Sequence, residues 1–136
     1  MRLHPHLNFD GRCAEGFKFY EQCLGGKISF SMTYGESPAA TQVPADWSKK
    51  IIHSTLQVGD DQLTGADAPP HWYQKPQGFH VALDIKDAAE AERIFKTLVE
   101  NGSVQTPLQE TFWAQRFGMC TDRFGIPWMV NCSKPV

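Results

Sequence analysis

His4-Pro-His-Leu-Asn-Phe9 and His80-Val-Ala-Leu-Asp-Ile85 are the two stretches on which the fold turns. Each opens with histidine and alternates polar with apolar residues at period two, the pattern of a strand that buries one face. After the first stretch, Cys13, Phe17, Tyr20 and Leu24 fall on one helical stripe, and Gly25-Gly26 supplies a stop. After the second, Asp87 followed three residues later by Glu90 has the form of a helix cap. Ala91, Phe95 and Leu98 make the second stripe, which Asn101-Gly102 ends. His4 and His80, Leu7 and Leu83, and Gly26 and Gly102 all stand 76 residues apart. A common offset in the leading strands and in the stops marks a duplicated unit.

Three strand candidates follow each helix. They are Lys27–Tyr34, Lys50–Val58 and Gln62–Asp67 in the first copy, then Val104–Trp113, Phe117–Thr121 and Pro127–Cys132 in the second. The chain therefore reads as a single domain of two βαβββ modules, 1–68 and 79–136, joined by a linker at 69–78 that holds three prolines. Only the first module carries a long insertion rich in Pro, Ala, Ser and Gly, from Gly35 to Trp47, which reads as a loop. Asp122-Arg-Phe-Gly125 has Asp at the first position of a turn and Gly at the fourth.

Composition narrows the partners. A chain of 136 residues can bury one core, and no apolar run approaches the roughly 20 residues that span a bilayer, so no membrane partner is expected. With 13 basic residues against 15 acidic ones, no cationic surplus exists to neutralise a phosphate backbone, so nucleic acid is not an expected partner either. Met1-Arg-Leu-His-Pro-His6 lacks the apolar stretch of a secretory signal, and a cytoplasmic location is expected. Cys13, Cys23, Cys120 and Cys132 form no C-x-x-C pair. On one helix Cys13 and Cys23 would lie about 15 Å apart, beyond disulfide reach, so the four read as buried thiols in a reducing compartment.

Glu110-Thr-Phe-Trp-Ala114, Phe117-Gly118 and Thr121-Asp-Arg-Phe-Gly-Ile-Pro-Trp-Met-Val-Asn131 are similar to the signature of the PhnB-like branch of the vicinal oxygen chelate superfamily. That superfamily includes glyoxalase I, extradiol dioxygenases and bleomycin- or fosfomycin-resistance proteins. Leu7-Asn-Phe9, Phe19-Tyr20 and Gly65-Ala-Asp-Ala-Pro69 fit the same branch, so the resemblance covers nearly the whole chain. It implies an α+β fold in which two βαβββ modules form a curved eight-stranded mixed sheet around a cavity, usually in a homodimer. Metal ligands would sit at equivalent positions of the two modules. One architecture serves unrelated activities, so the site must decide the function.

Strand parity turns Leu7, Phe9, Leu83 and Ile85 toward the helices and the opposite set toward the cavity: His4, His6 and Asn8 from one module, His80, Ala82 and Asp84 from the other. By the resemblance, His4 and His80 match the superfamily's ligand positions on the leading strands, and neutral imidazole is a good ligand for a divalent transition metal. The glutamates that complete the usual set are missing. The second falls at Met129 and the first near Gly65, with Asp67 two residues on as a substitute carboxylate. No cofactor is assigned outright. If a divalent metal such as Zn, Ni, Mn or Fe is held, His4, His80 and Asp67 or Glu110 hold it; otherwise the histidines are cavity-lining groups.

A ligand pocket would draw on His6, Asn8, His53, Trp113, Phe117, Trp128 and Met129, which combine aromatic area with a few polar groups. Glu110 beside Trp113 is the candidate catalytic carboxylate: partly desolvated, it acts as a general base, whereas solvated it is held by Arg116 or Arg123. Trp72 and Tyr73 in the linker are expected to cover the dimer partner. Some PhnB-like proteins carry a ubiquinone methyltransferase label, yet a nucleotide-type methyl donor needs a glycine-rich turn between strand and helix, and Gly25-Gly26 follows a helix instead. The leading reading is a small-molecule-binding protein without the usual metal site. The alternative is a divalent-metal-dependent isomerase, lyase or transferase acting on a small oxygenated substrate.

Overall fold

Strand, helix and three further strands occur twice in the computed structural model, which describes residues 1–135. The first set is β1 (His6–Phe9), α1 (Cys13–Leu24), β2 (Lys27–Thr33), β3 (Ile51–Val58) and β4 (Asp61–Asp67). The second is β5 (Val81–Asp84), α2 (Ala88–Val99), β6 (Ser103–Gln109), β7 (Ala114–Thr121) and β8 (Pro127–Ser133). Each set makes one mixed sheet of four strands, ordered β1-β4-β3-β2 and β5-β8-β7-β6. In both, the leading strand runs parallel to the last and the other neighbours are antiparallel. The fold is α+β, and among the described residues the eight strands pair as two sheets of four rather than as one sheet of eight. The chain divides into two compact units, Met1–Gln74 and Lys75–Val136.

The first helix buries Cys13, Gly16, Phe17, Tyr20 and Cys23 against its sheet. Cys23 takes the last place on the stripe, and Leu24 is left half-buried. Gly25, at φ +75°, lets the chain turn out of the helix, with its N–H on the Glu21 carbonyl. The rings of Phe9, Phe17 and Tyr20 meet at 6.0 to 6.4 Å, and each such side chain contributes roughly 2–3 kcal/mol by leaving water. In the second unit, α2 buries Ala91, Ile94, Phe95 and Leu98.

The two helices are capped differently. Asp87 caps α2 with its own carboxylate, accepting the Glu90 N–H at 3.0 Å. Arg12, at the corresponding place on α1, offers no side-chain cap. Asp67 at the end of β4 supplies one: it accepts the N–H groups of Gly11 at 3.0 Å, Cys13 at 2.9 Å and Ile51 at 2.8 Å. Its carbonyl takes the Tyr34 hydroxyl at 2.7 Å. One buried acid thus ties the start of α1 to β3 and β4. In the second unit, Asp122 accepts the N–H groups of Phe124 at 2.8 Å and Ile126 at 3.0 Å, and the Trp128 indole at 2.8 Å. These bonds organise the turn between β7 and β8.

The long insertion coils into two short 3-10 turns, Pro38–Gln42 and Ala45–Trp47. All four cysteines are buried, and none is in a disulfide among the described residues. Among the described residues, no helix is long and apolar enough to cross a membrane.

Candidate functional site

The helix-facing side of each sheet is filled by packing, which leaves the opposite faces open. In the first unit one row crosses all four strands: His6 pairs with Thr64, Thr64 with Thr55, and Thr55 with Phe30. His6 Nδ1 lies 2.8 Å from the Thr64 hydroxyl. That hydroxyl also lies 3.4 Å from the Pro5 carbonyl, and His6 Nε2, on the other side of the ring, is the nitrogen left for a ligand. The His53 ring stacks on His6 with centroids 6.1 Å apart and planes 18° from parallel. His53 also contacts the Thr55 hydroxyl at 3.3 Å and the Phe30 ring at 6.0 Å. Burial, then the neighbouring His53 and His4, hold the His6 imidazole below its usual 6.5. The neutral, hydrogen-bonding form is therefore the resting one near neutral pH.

The second unit carries the equivalent row with different chemistry: Ala82 pairs with Met129, Met129 with Met119, and Met119 with Thr106. The next row runs Asp84, Asn131, Phe117 and Gln109. Matching the two rows strand by strand makes Thr64 and Met129 equivalent. The first-module glutamate position, expected near Gly65, is therefore occupied by Thr64. A Cβ at Gly65 would lie 2.6 Å from the Phe17 ring, on the helix side.

Asp67 shares Gly65's parity, and this corrects its place as a candidate metal ligand. It is 1% exposed, and its oxygens are held by three backbone N–H groups. His4 and His80 precede β1 and β5 rather than lying within them. His4 is exposed, and His80 Nε2 meets the Gln105 side-chain oxygen at 2.9 Å. No group of three His, Cys, Asp or Glu converges among the described residues. A hydroxyl already engaged by His6 and a soft thioether stand where two hard carboxylates would balance a dication. These residues do not fit the superfamily's usual metal set.

Two aromatic assignments also change. Trp128 is fully buried on the helix side, where its indole serves Asp122, so it does not line the open face. Trp113 is not on a strand, because β6 ends at Gln109 and a turn closes through the Ala114 N–H on the Thr111 hydroxyl and the Thr111 N–H on the Ala114 carbonyl, both at 3.0 Å. There Trp113 is 47% exposed, with ring centroids 4.7 Å from Phe112 and 5.2 Å from Phe117.

Glu110 stands in the same turn, exposed, with Lys134 Nζ at 3.5 Å. Arg116 and Arg123 pair with Glu92 and Glu100 instead. Glu110 is thus solvated and beside a lysine rather than enclosed against Trp113. His6, Asn8 and His53 lie on the open face of the first sheet, and Phe117 and Met129 on that of the second. Thr55, in phase with His53, shares its face, and Thr64, Phe30 and Met119, which the sequence does not single out, join these faces. Alternation within β4 was the available signal for Thr64.

Residues 2–130 match the family model of the Glyoxalase/Bleomycin resistance protein/Dioxygenase superfamily. Protein YjdN of Escherichia coli (strain K12) is 33% identical over 142 residues, covering 98% of this chain and 97% of its own. The crystal structure of protein PA1353 from Pseudomonas aeruginosa is 46% identical and superposes with a TM-score of 0.90 over 99% of both chains. The PhnB protein from Bacillus cereus, 18% identical, shares the fold with a TM-score of 0.82 over 98% of this chain and 100% of its own. On this match and on the doubled strand-helix-strand plan, the chain belongs to the Glyoxalase/Bleomycin resistance protein/Dioxygenase superfamily.

Proposed function

We propose that this protein binds a small organic molecule on the open face of a sheet without the superfamily's usual divalent metal. The observation that carries the reading is the pair Thr64 and Met129, standing across from the leading strands where a metal set needs carboxylates. His6 Nε2 exchanges a hydrogen bond with a polar group of the ligand, and the His53 and Phe30 rings beside it offer flat apolar contact. Phe117 and Met129 supply adaptable apolar surface. An oxygenated organic ligand suits this lining. The metal-dependent isomerase, lyase or transferase keeps His4 and His80 in its favour and lacks the carboxylates.

Four buried cysteines outside any disulfide support a cytoplasmic setting for this work. The open edges β2 and β6, with exposed Phe30 and Val104, support a homodimer, which light scattering at micromolar concentration would report as twice the chain mass.

Denaturing extraction of gently purified protein, followed by mass spectrometry, tests the binding. An organic molecule recovered from the wild type and depleted at least tenfold in the double variant His6→Ala, His53→Ala supports it. Equal recovery from both proteins, or none from the wild type, contradicts it.

A further inference from the structure

Two rows cross the open face of the second sheet, and they contain one ionised side chain, Asp84. It is exposed and forms no ion pair among the described residues. Beside it, the Asn131 amide nitrogen donates to Asp84 at 3.3 Å and to the Ser133 hydroxyl at 3.4 Å, both long bonds. The Asn131 amide oxygen is buried and accepts no hydrogen bond. A carboxylate without a counter-charge thus adjoins an acceptor without a donor. Leaving such an acceptor unmet costs about 1–3 kcal/mol, so a donor that reaches it by a small turn of the weakly held amide is favoured.

Inward of Thr106 and Gln109 on the edge strand, the rest of the face is apolar and polarisable. Phe117 is directly paired with Asn131, and Trp113 packs its edge against Phe117 at 5.2 Å while remaining 47% exposed. Met119 and Met129 are paired one row away. Aromatic faces attract cations, and thioethers adapt to irregular apolar bodies. An anion would meet Asp84, and a neutral apolar molecule would leave both Asp84 and Asn131 unanswered.

We infer that the open face of the second sheet takes the protonated amine of an organic ligand, with the ammonium on Asp84 and Asn131 and the apolar body on Phe117, Trp113 and the two methionines. This rests on the small-molecule reading above and adds the ligand's charge and orientation. The imidazole row of the first unit, which lacks a carboxylate, has no such preference.

The test is an NMR titration at pH 7 with three probes of like size: 2-phenylethylamine, 2-phenylethanol and phenylacetate. The amine should bind at least fivefold more tightly than the alcohol and tenfold more tightly than the acid, with shifts at the Trp113 indole and the Asn131 amide. Asp84→Asn should bring the amine within twofold of the alcohol while leaving the alcohol unchanged. Trp113→Ala, an exposed and structurally mild change, should weaken amine and alcohol alike. Equal binding of the three probes, no binding of the amine, or an amine preference that survives Asp84→Asn overturns the inference. Extraction of an organic molecule without an amine would uphold the small-molecule reading and overturn only this one.

Discussion

Asp67 illustrates how one residue can be chemically suited to two roles and be committed to one by its neighbours. Its carboxylate accepts three backbone N–H groups and caps a helix that begins 54 residues earlier in the chain. In Asp67→Asn, one oxygen becomes an NH2 that faces a donor, and the charge-assisted bonds weaken. Urea unfolding should show a loss of about 3 kcal/mol, and a change under 1 kcal/mol would contradict the capping role. His6 makes a pH prediction of opposite character. Its folded-state pKa lies below the usual 6.5, so protonation is harder in the fold than in the unfolded chain. Stability is full above that unfolded value and falls as pH drops through it toward the folded one. Ring titration by NMR should place the His6 midpoint below 6.5, and His53→Asn should move it upward. A midpoint above 6.5, or no response to the variant, would contradict the environment described for it.

At the scale of elements, the sequence was legible wherever period and punctuation were local. Both helices, the Gly25 stop of α1, the left-handed Asn101 after α2, the Asp87 cap and the Asp122–Gly125 turn follow from residues within a few positions of one another. Partner-dependent features were not legible. The Thr111 hydroxyl folds Glu110 to Trp113 into a turn, where alternation alone would extend the strand through Trp113. The side of β4 that faces α1 is decided by the fit of Gly65 under Phe17, which no local pattern states. A slip of one residue there exchanges a metal ligand for a cap, because successive side chains point to opposite faces. Gly65→Ala should therefore cost about 1–3 kcal/mol in thermal or urea unfolding, as the Phe17 ring must move from its place. A neutral outcome would mean that α1 yields easily and would weaken the parity assignment. Pro107 on the edge strand β6, where its missing N–H costs no ladder bond, is consistent with the observed strand order.

Across the whole molecule, duplication kept the frame and let the faces diverge. Equivalent rows read His6, Thr64, Thr55 and Phe30 in one unit and Ala82, Met129, Met119 and Thr106 in the other. A symmetric metal centre asks for like ligands at like positions, and these rows offer an imidazole and hydroxyls against thioethers. Neither row by itself offers the carboxylate that such a centre needs. Native mass spectrometry of the gently purified protein, before and after dialysis against EDTA, tests this most directly. The account predicts an organic adduct that survives chelation with no stoichiometric metal mass. A metal adduct of one ion per chain that disappears with EDTA, taking the organic mass with it, would contradict it.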